Sequence, residues 1–441
     1  MKRSFQAIFW PTFIELLFFM LMGTIDTFML SHFSDFAVGS VGNANTIIQM
    51  FAVLLLVVAN GVAVLVSQYL GAKKDHIAHR VIGNGLILNL LVGAIIASLL
   101  VFFAPVLLRL VKTEAVLFQG SLDYLQVVGI SLFFVAISNV MTGSLRSYGH
   151  ARYITYVVVV GNILNIIGNA ILINGYLGFP RLGILGAAIS TLIVRFFMLS
   201  AYLFLLYKVI GLRPKHLRID IQTTKQVLQI GLPSALEVWT YTLMQGIVLS
   251  MINQLGPEYT TARTYINTIL TYIYIFSLAF AAANAVMTGY YIGERNFNKA
   301  HQETLKTAFR SFLVVLSMTL IVNLTSGLIL SFFTQNEVIV KTVRTVLWVA
   351  IILEFSRSLN LIFIQALRSA GDTTFPLVMA ILSMLGVAAT MAYVLGIHLG
   401  LGLLGIYIAY AMDELLRGIL MLTRWQSRKW EHKSKYIENT V

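Results

Sequence analysis

Long apolar runs recur from one end of the chain to the other, each near the 20 residues or so that carry a helix across bilayer hydrocarbon. Twelve can be placed, at about 7–31, 45–70, 81–111, 122–146, 153–173, 183–207, 227–253, 265–292, 305–333, 341–367, 373–395 and 401–424. Their spacing leaves no room for a soluble domain. The expected fold is therefore all-α, a polytopic membrane protein of twelve transmembrane helices. Composition closes off the alternative of one large soluble core. Only 11% of the 441 residues are charged and 58% are hydrophobic, whereas a soluble domain carries about 25% charged residues to wet its surface. Met1-Lys2-Arg3 before an apolar run resembles the opening of a signal peptide. The run is too long for one, holds Glu15 and Asp26, and lacks a clear small-residue cleavage site, so it reads as a retained first helix.

The formal charge of +13 invites a nucleic-acid reading. Its distribution argues for a membrane instead. With the N-terminus placed in the cytoplasm, 22 of the 31 basic residues fall in cytoplasmic segments, among them Lys2, Arg3, Lys73, Lys74, Lys208, Arg213, Lys215 and Lys435. The opposite side holds only Arg109, Lys112, Arg181, Arg263, Lys341 and Arg344, and Arg195, Arg357 and Arg417 lie within helices. Basic loops stay inside, so both termini are expected in the cytoplasm of a multi-pass protein of the plasma or inner membrane. No nucleic acid is expected as a partner; the bilayer itself is.

Sliding the chain against itself gives matches 222 positions apart. Pro11 pairs with Pro233 and Glu15 with Glu237; Tyr69 and Gly71 pair with Tyr291 and Gly293; Leu145-Arg146-Ser147 pairs with Leu367-Arg368-Ser369. After a small deletion, Gly183-x-x-Gly186 matches Gly402-x-x-Gly405. One offset held over four helices is a duplication. The expected organisation is a six-helix lobe over 1–210, a polar cytoplasmic linker over 211–226 and a second lobe over 227–441. Each half holds an even number of spans, so the lobes are related by an axis along the membrane normal. Two such bundles facing a central cleft form a transporter's architecture, although fold alone does not establish function.

Ionisable side chains inside a membrane cost about 2.5–3.5 kcal/mol each on insertion scales and tend to face the bundle interior with a task. Asp26 is the foremost case. It lies about 8 Å from the outer end of the first helix, level with Asn165 and Asn169 of the fifth, which belong with Asn162 to one helical stripe. A carboxylate and two carboxamides at one depth suit a proton, or a sodium ion through oxygen ligands. The plain alternative is a network of interhelical hydrogen bonds with no transported ion. Asn139, Thr142, Ser190 and Thr191 can join either arrangement. In the second half, Glu237, Tyr241 and Gln245 form another stripe, and Glu354 lies mid-helix with Arg357 three residues on. That pair offers a cation-binding carboxylate or simply neutralises itself. Asp413 and Arg417 read as a structural ion pair, Glu15 as a solvated residue near the cytoplasmic face, and Arg195 as a cation needing an anionic partner. Trp239, Tyr241 and Met244 offer a greasy surface for an aromatic cation, though packing is the commoner role of such residues.

Several classes fall away. The chain has no cysteine for disulfides or thiolate metal sites, and its eight histidines sit in or beside predicted loops. No G-x-x-x-x-G-K-[ST] string occurs, so the chain carries no P-loop of its own. No nucleophile–base pair or metal cluster points to an enzyme, and no cofactor is expected beyond a coupling ion. Gly400-x-Gly402-x-x-Gly405 spells a dinucleotide fingerprint but opens a membrane helix outside any βαβ unit, and is discarded.

Over nearly its full length the chain resembles the multidrug and toxic compound extrusion (MATE) family. The residues that carry the resemblance are Pro11, Gly23-Thr-Ile-Asp26, Gln68-Tyr69-Leu70-Gly71, Leu145-Arg146-Ser147-Tyr148-Gly149, Leu164-Asn165-Ile166-Ile167-Gly168-Asn169 and Gly183-x-x-Gly186-Ala187-Ala188. The resemblance implies a two-lobed antiporter, taken as a monomer, that expels organic cations against inward H⁺ or Na⁺. Asp26 looks like the family's coupling acid on the first helix, and Asn165 and Asn169 like its fifth-helix partners. Some members carry an acid where this chain has Asn169, and others use acids on the seventh and tenth helices, near Glu237 and Glu354. The rival reading is a lipid-linked saccharide flippase of the same broad architecture, which needs a cavity lined by Arg and Lys to hold pyrophosphate.

Overall fold

The computed structural model describes residues 4–31, 33–111, 113–331, 334 and 336–433. Lys2, Arg3, His32, Lys112 and Lys435 lie outside the described residues. Among those described, twelve long helices follow one another with no strand: α1 Phe5–Ser31, α2 Asp35–Gly71, α3 Asp75–Phe102, α4 Ala115–Ser147, α5 Ala151–Asn174, α6 Ile184–Ile210, α7 Ile221–Leu255, α8 Pro257–Gly293, α9 Phe297–Ser331, α10 Glu337–Ser369, α11 Thr374–His398 and α12 Gly402–Gln426. Each answers one apolar run of the sequence. Ten are long and apolar enough to cross a membrane; the other two, α10 and α12, carry the buried charges described below. The protein is an all-α, multi-pass membrane protein.

Most helices outrun the hydrocarbon. The 37 residues of α8 rise about 55 Å against a core of about 30 Å, so its ends reach the headgroups and beyond. The third apolar run breaks where the sequence read it as continuous. Pro105 has no N–H to donate, so α3 stops at Phe102 and a short helix, Ala104–Leu110, follows with the proline in its first turn. α11 contains two π-helical stretches, Met384–Ala389 and Ala392–His398.

The chain forms two compact units, one of Met1–Leu70 with Lys74–Gly231 and one of Gly71–Lys73 with Leu232–Val441. In the first, α4 packs on α3 and α6, and α5 on α1 and α6. In the second, α8 and α12 both pack on α10. Residues 211–220 lie on the first unit: the Asn84 amide donates to the Asp220 carbonyl at 2.8 Å, and Gly83 leaves room for the His216 carbonyl beside α3.

The duplication shows in the internal chemistry of each unit. Arg146 pairs with Glu15 at 2.6 Å in the first, and Arg368 with Glu237 at 2.7 Å in the second, with the same 131-residue separation. Glu15 is thus held by an arginine rather than left to solvent, a correction to the sequence reading. The matched glycines also do matched work. Gly183 and Gly402 both take positive φ, +54° and +60°, to turn the chain into α6 and α12. One turn later Gly186 lies against the Leu172 carbonyl of α5, and Gly405 against the Leu395 carbonyl of α11. A side chain at either position would hold the two helices apart.

Candidate ion site in the first unit

The close approach of α5 and α6 builds the site. α5 ends at Gly175, whose φ of +78° closes the helix with an N–H bonded to the Ile171 carbonyl at 2.9 Å. The chain returns through Gly183, and the Gly186 contact seats α6 so that Ser190 meets α5 opposite Gly168. The Ser190 hydroxyl donates to the Asn165 backbone carbonyl at 3.2 Å and accepts from the Asn165 amide at 3.5 Å. One turn further along α5, the Asn169 amide donates to Asp26 Oδ1 of α1 at 2.6 Å and to Asn165 Oδ1 at 3.3 Å. Asp26 lies five residues before the end of α1 and Asn169 five before the end of α5, which puts them at one depth.

Asn165 and Asn169 are fully enclosed, and among the described residues no donor reaches the buried Asn169 Oδ1. Burying an acceptor without a donor costs about 1–3 kcal/mol. The site therefore sets a carboxylate and two carboxamides side by side, with one carboxamide oxygen still lacking a donor. A sodium ion meets that lack by coordination. A proton on Asp26 meets it by giving the carboxyl an O–H to donate.

Not every predicted member joins. Asn162 turns back to the Val158 carbonyl of its own helix at 2.8 Å. Thr191 is buried beside Ser190, and Asn139 sits half-buried on α4; among the described residues no hydrogen bond ties either side chain to Asp26. Arg195 was expected to need an acid. It instead donates to the Ser131 hydroxyl of α4 at 2.6 Å, with Asp26 and Tyr124 close enough to feel its charge. No ion pair joins Arg195 to Asp26 among the described residues, so the carboxylate is not locked. Tyr124, beside Asn45 of α2, and Ser131 complete this polar layer. The sequence reading missed all three, although each is a polar residue inside an apolar run.

In the second unit every predicted polar residue has its own partner. Glu237 holds Arg368. Gln245 accepts from Arg263 at 3.2 Å and from Tyr410 at 3.1 Å, and donates to Tyr241 at 2.9 Å. Glu354 pairs with Arg357 at 2.5 Å, and Arg417 bridges Asp413 at 2.6 Å and Glu414 at 2.9 Å. Glu414 also accepts from Asn360 at 2.8 Å. Among the described residues no hydrogen bond joins Glu237, Gln245 and Glu354 to one another directly; Arg357, which pairs with Glu354, also lies 3.8 Å from Glu414, which Arg417 holds in turn. Trp239 and Tyr241 are exposed on α7, but Met244 is packed in the apolar core and offers no surface to a ligand. Among the described residues no group of three His, Cys, Asp or Glu side chains is arranged to hold a metal ion.

Twelve long helices in duplicated halves, ten of them apolar enough to cross a membrane, with a carboxylate held between helices, define a polytopic membrane transporter. The profile of the MatE family matches residues 11–171 and 233–394, the same 222-residue step found in the sequence. The chain belongs to this family, the MATE transporters, whose members move solutes rather than catalyse reactions. It is 36% identical over 438 residues to an uncharacterized transporter, YisQ, of Bacillus subtilis, covering 98% of this chain and 95% of that one. It is 25% identical over 426 residues to a probable multidrug resistance protein, NorM, of Thermotoga maritima, covering 96% and 91%. Among solved structures it superposes on a MATE protein in its straight conformation with a TM-score of 0.88 at 22% identity over 98% of both chains. A MOP superfamily transporter from Pyrococcus furiosus gives 0.87 at 22% identity, over 99% of this chain and 98% of that one.

Proposed function

We propose that this chain is a secondary antiporter of the cell membrane that exports organic cations in exchange for H⁺ or Na⁺ entering at Asp26, with both termini in the cytoplasm. The observation that carries the reading is the Asn169–Asp26 contact beside the buried, donorless Asn169 Oδ1. Deprotonated, Asp26 is held by the Asn169 amide. Neutralised by a cation, it releases that amide and leaves the charge of Arg195 without its counterweight across the bundle. Two charge states with different internal bonding are what an ion needs to favour one access state over the other. Transport follows if the exported cation favours the opposite state.

The likeness to NorM, a probable multidrug resistance protein, supports drugs as cargo, and the exposed Trp239 and Tyr241 suit a lipophilic cation. The basic bias of alternate loops supports the orientation. The lobes 1–210 and 227–441, joined through 211–226 in one monomer, are the parts this cycle would move. The flippase reading is less well supported, because Arg146, Arg357, Arg368 and Arg417 are each already paired with a carboxylate.

The test is dye efflux from proteoliposomes under separately imposed pH and Na⁺ gradients. Asp26→Asn should abolish gradient-driven export while leaving the protein folded. Export by Asp26→Asn at the wild-type rate would refute the mechanism.

A further inference from the structure

A second feature, in the other unit, has no part in ion coupling. A cavity of about 640 Å³ opens on the first turns of α10, lined by Glu337, Lys341, Arg344, Thr345 and Trp348, with Leu404 of α12 on its far wall. Glu337, Lys341, Arg344, Thr345 and Trp348 fall at spacings of three and four, so they share one face of the helix. Both cations are exposed, and among the described residues neither pairs with a carboxylate, nor does Glu337 pair with a cation. Arg344 and Lys341 are also two of the few basic residues on the side that the charge bias makes external.

Depth decides what can reach them. The 33 residues of α10 span about 50 Å, about 20 Å more than the hydrocarbon, or about 10 Å at each end when the helix is centred. Lys341 then lies about 6 Å below the helix start, among the headgroups, and Arg344 about 10 Å down, at the hydrocarbon boundary, from which its long side chain reaches back to the phosphates. Trp348, 58% exposed, lies about 16 Å down, about 6 Å inside the hydrocarbon, where an acyl chain would lie. Plain snorkelling cations would need no cavity and no acid. Here two cations, one carboxylate, a hydroxyl and an apolar floor line one open groove, roomy enough for a headgroup and the start of an acyl chain.

We propose that this cavity holds the headgroup of a phospholipid bearing an aminoethyl group. Its phosphate lies between Lys341 and Arg344, its ammonium on Glu337, and an acyl chain runs down over Trp348, Val349 and Leu404. The pair of cations matches a phosphodiester, which two donors can grip from both sides. The single carboxylate, a turn above Lys341, sets the preference for a headgroup that is itself positive at its outer end.

The experiment is native mass spectrometry of the full chain, delipidated in detergent and titrated separately with dioleoyl phosphatidylethanolamine, phosphatidylglycerol, phosphatidylcholine and inorganic phosphate. One phosphatidylethanolamine should be retained per chain, at least tenfold more tightly than phosphatidylcholine. Lys341→Gln with Arg344→Gln should weaken that binding at least tenfold, while Lys215→Gln with Arg218→Gln, exposed cations of the other unit, leaves it unchanged. Glu337→Gln should reverse the order, making phosphatidylglycerol the preferred lipid. Retention unaffected by the Lys341/Arg344 pair, equal binding of all three lipids, or displacement of the lipid by inorganic phosphate would each overturn the proposal. None of these outcomes depends on transport, so the site stands or falls apart from the function of Asp26.

Discussion

Replacing Asn169 by Asp asks directly whether a cation sits where the structure gathers oxygens. The Asn169 amide lies 2.6 Å from Asp26 Oδ1, so the substitution puts a second carboxylate in place of a donor. With an effective dielectric of about 20, two like charges at that separation repel by about 6 kcal/mol. A cation bound between them recovers that energy, a factor of about 10⁴ in affinity before its dehydration is counted. Dehydration consumes much of this gain, and an increase of at least tenfold should survive. In proteoliposomes with pH clamped equal on both sides, Asn169→Asp should therefore export dye on a Na⁺ gradient with a half-saturating Na⁺ at least tenfold below the wild-type value, or show Na⁺ dependence where the wild type has none. The fold should hold, since the substitution keeps the side chain's size and shape. If the variant folds, transports, and responds to Na⁺ within twofold of the wild type, the ion does not bind at Asn169 and the reasoning fails.

Gly168→Ala would place a methyl group against the Ser190 hydroxyl; overpacking of this kind costs about 1–3 kcal/mol. It should lower the thermal unfolding midpoint in detergent, and adding Ser190→Ala should restore it. Arg368→Gln strands the buried Glu237 carboxylate, at a cost of about 3–5 kcal/mol, whereas Glu237→Gln with Arg368→Gln should cost clearly less; equal losses on chemical unfolding would deny that the two act as a pair. The third concerns the 211–220 segment, where His216 stacks on His79 with ring centroids 5.0 Å apart. Desolvation first, then the neighbouring His79, Lys215, Arg213 and Arg80, hold the His216 imidazole below its ordinary value. A base that the fold keeps neutral opposes folding once solution pH drops below the free imidazole's pKa of about 6.5. Hydrogen exchange in 211–220, corrected for its intrinsic rate, should thus accelerate as pH falls below about 6.5, and His216→Gln should flatten that response.

What the sequence discloses follows from what a membrane forbids. Apolar length marks each span because a single segment can satisfy its own backbone polar groups in lipid only as a helix, and the twelve runs match the twelve helices. Asp26, Asn165 and Asn169 stand out because polar side chains in such runs are costly, and their depth follows from counting 1.5 Å per residue. What the chain does not disclose is pairing between distant helices. Arg146 finds Glu15, and Arg195 takes a serine rather than an acid, through packing that no local pattern encodes. Tyr124, Asn45 and Ser131 sit singly in their helices, without the stripe that drew notice to α5. The break at Phe103 was readable, since Pro105 announces it; the apolar run concealed it. Met244 shows the opposite error, an aromatic-rich neighbourhood taken for a binding surface when one of its members faces the core.

The duplicated Glu–Arg pairs show that one ancestral six-helix frame was used twice. Carry Asp26 forward by the same 222 residues and it lands on Val248, fully buried among aliphatic side chains. The two halves inherited the same fastenings but not the same electrochemistry: only the first kept a titratable acid at that place. On the proposed mechanism, halves fastened alike but differing here would respond unequally to an arriving ion, which would act at this position on one half alone.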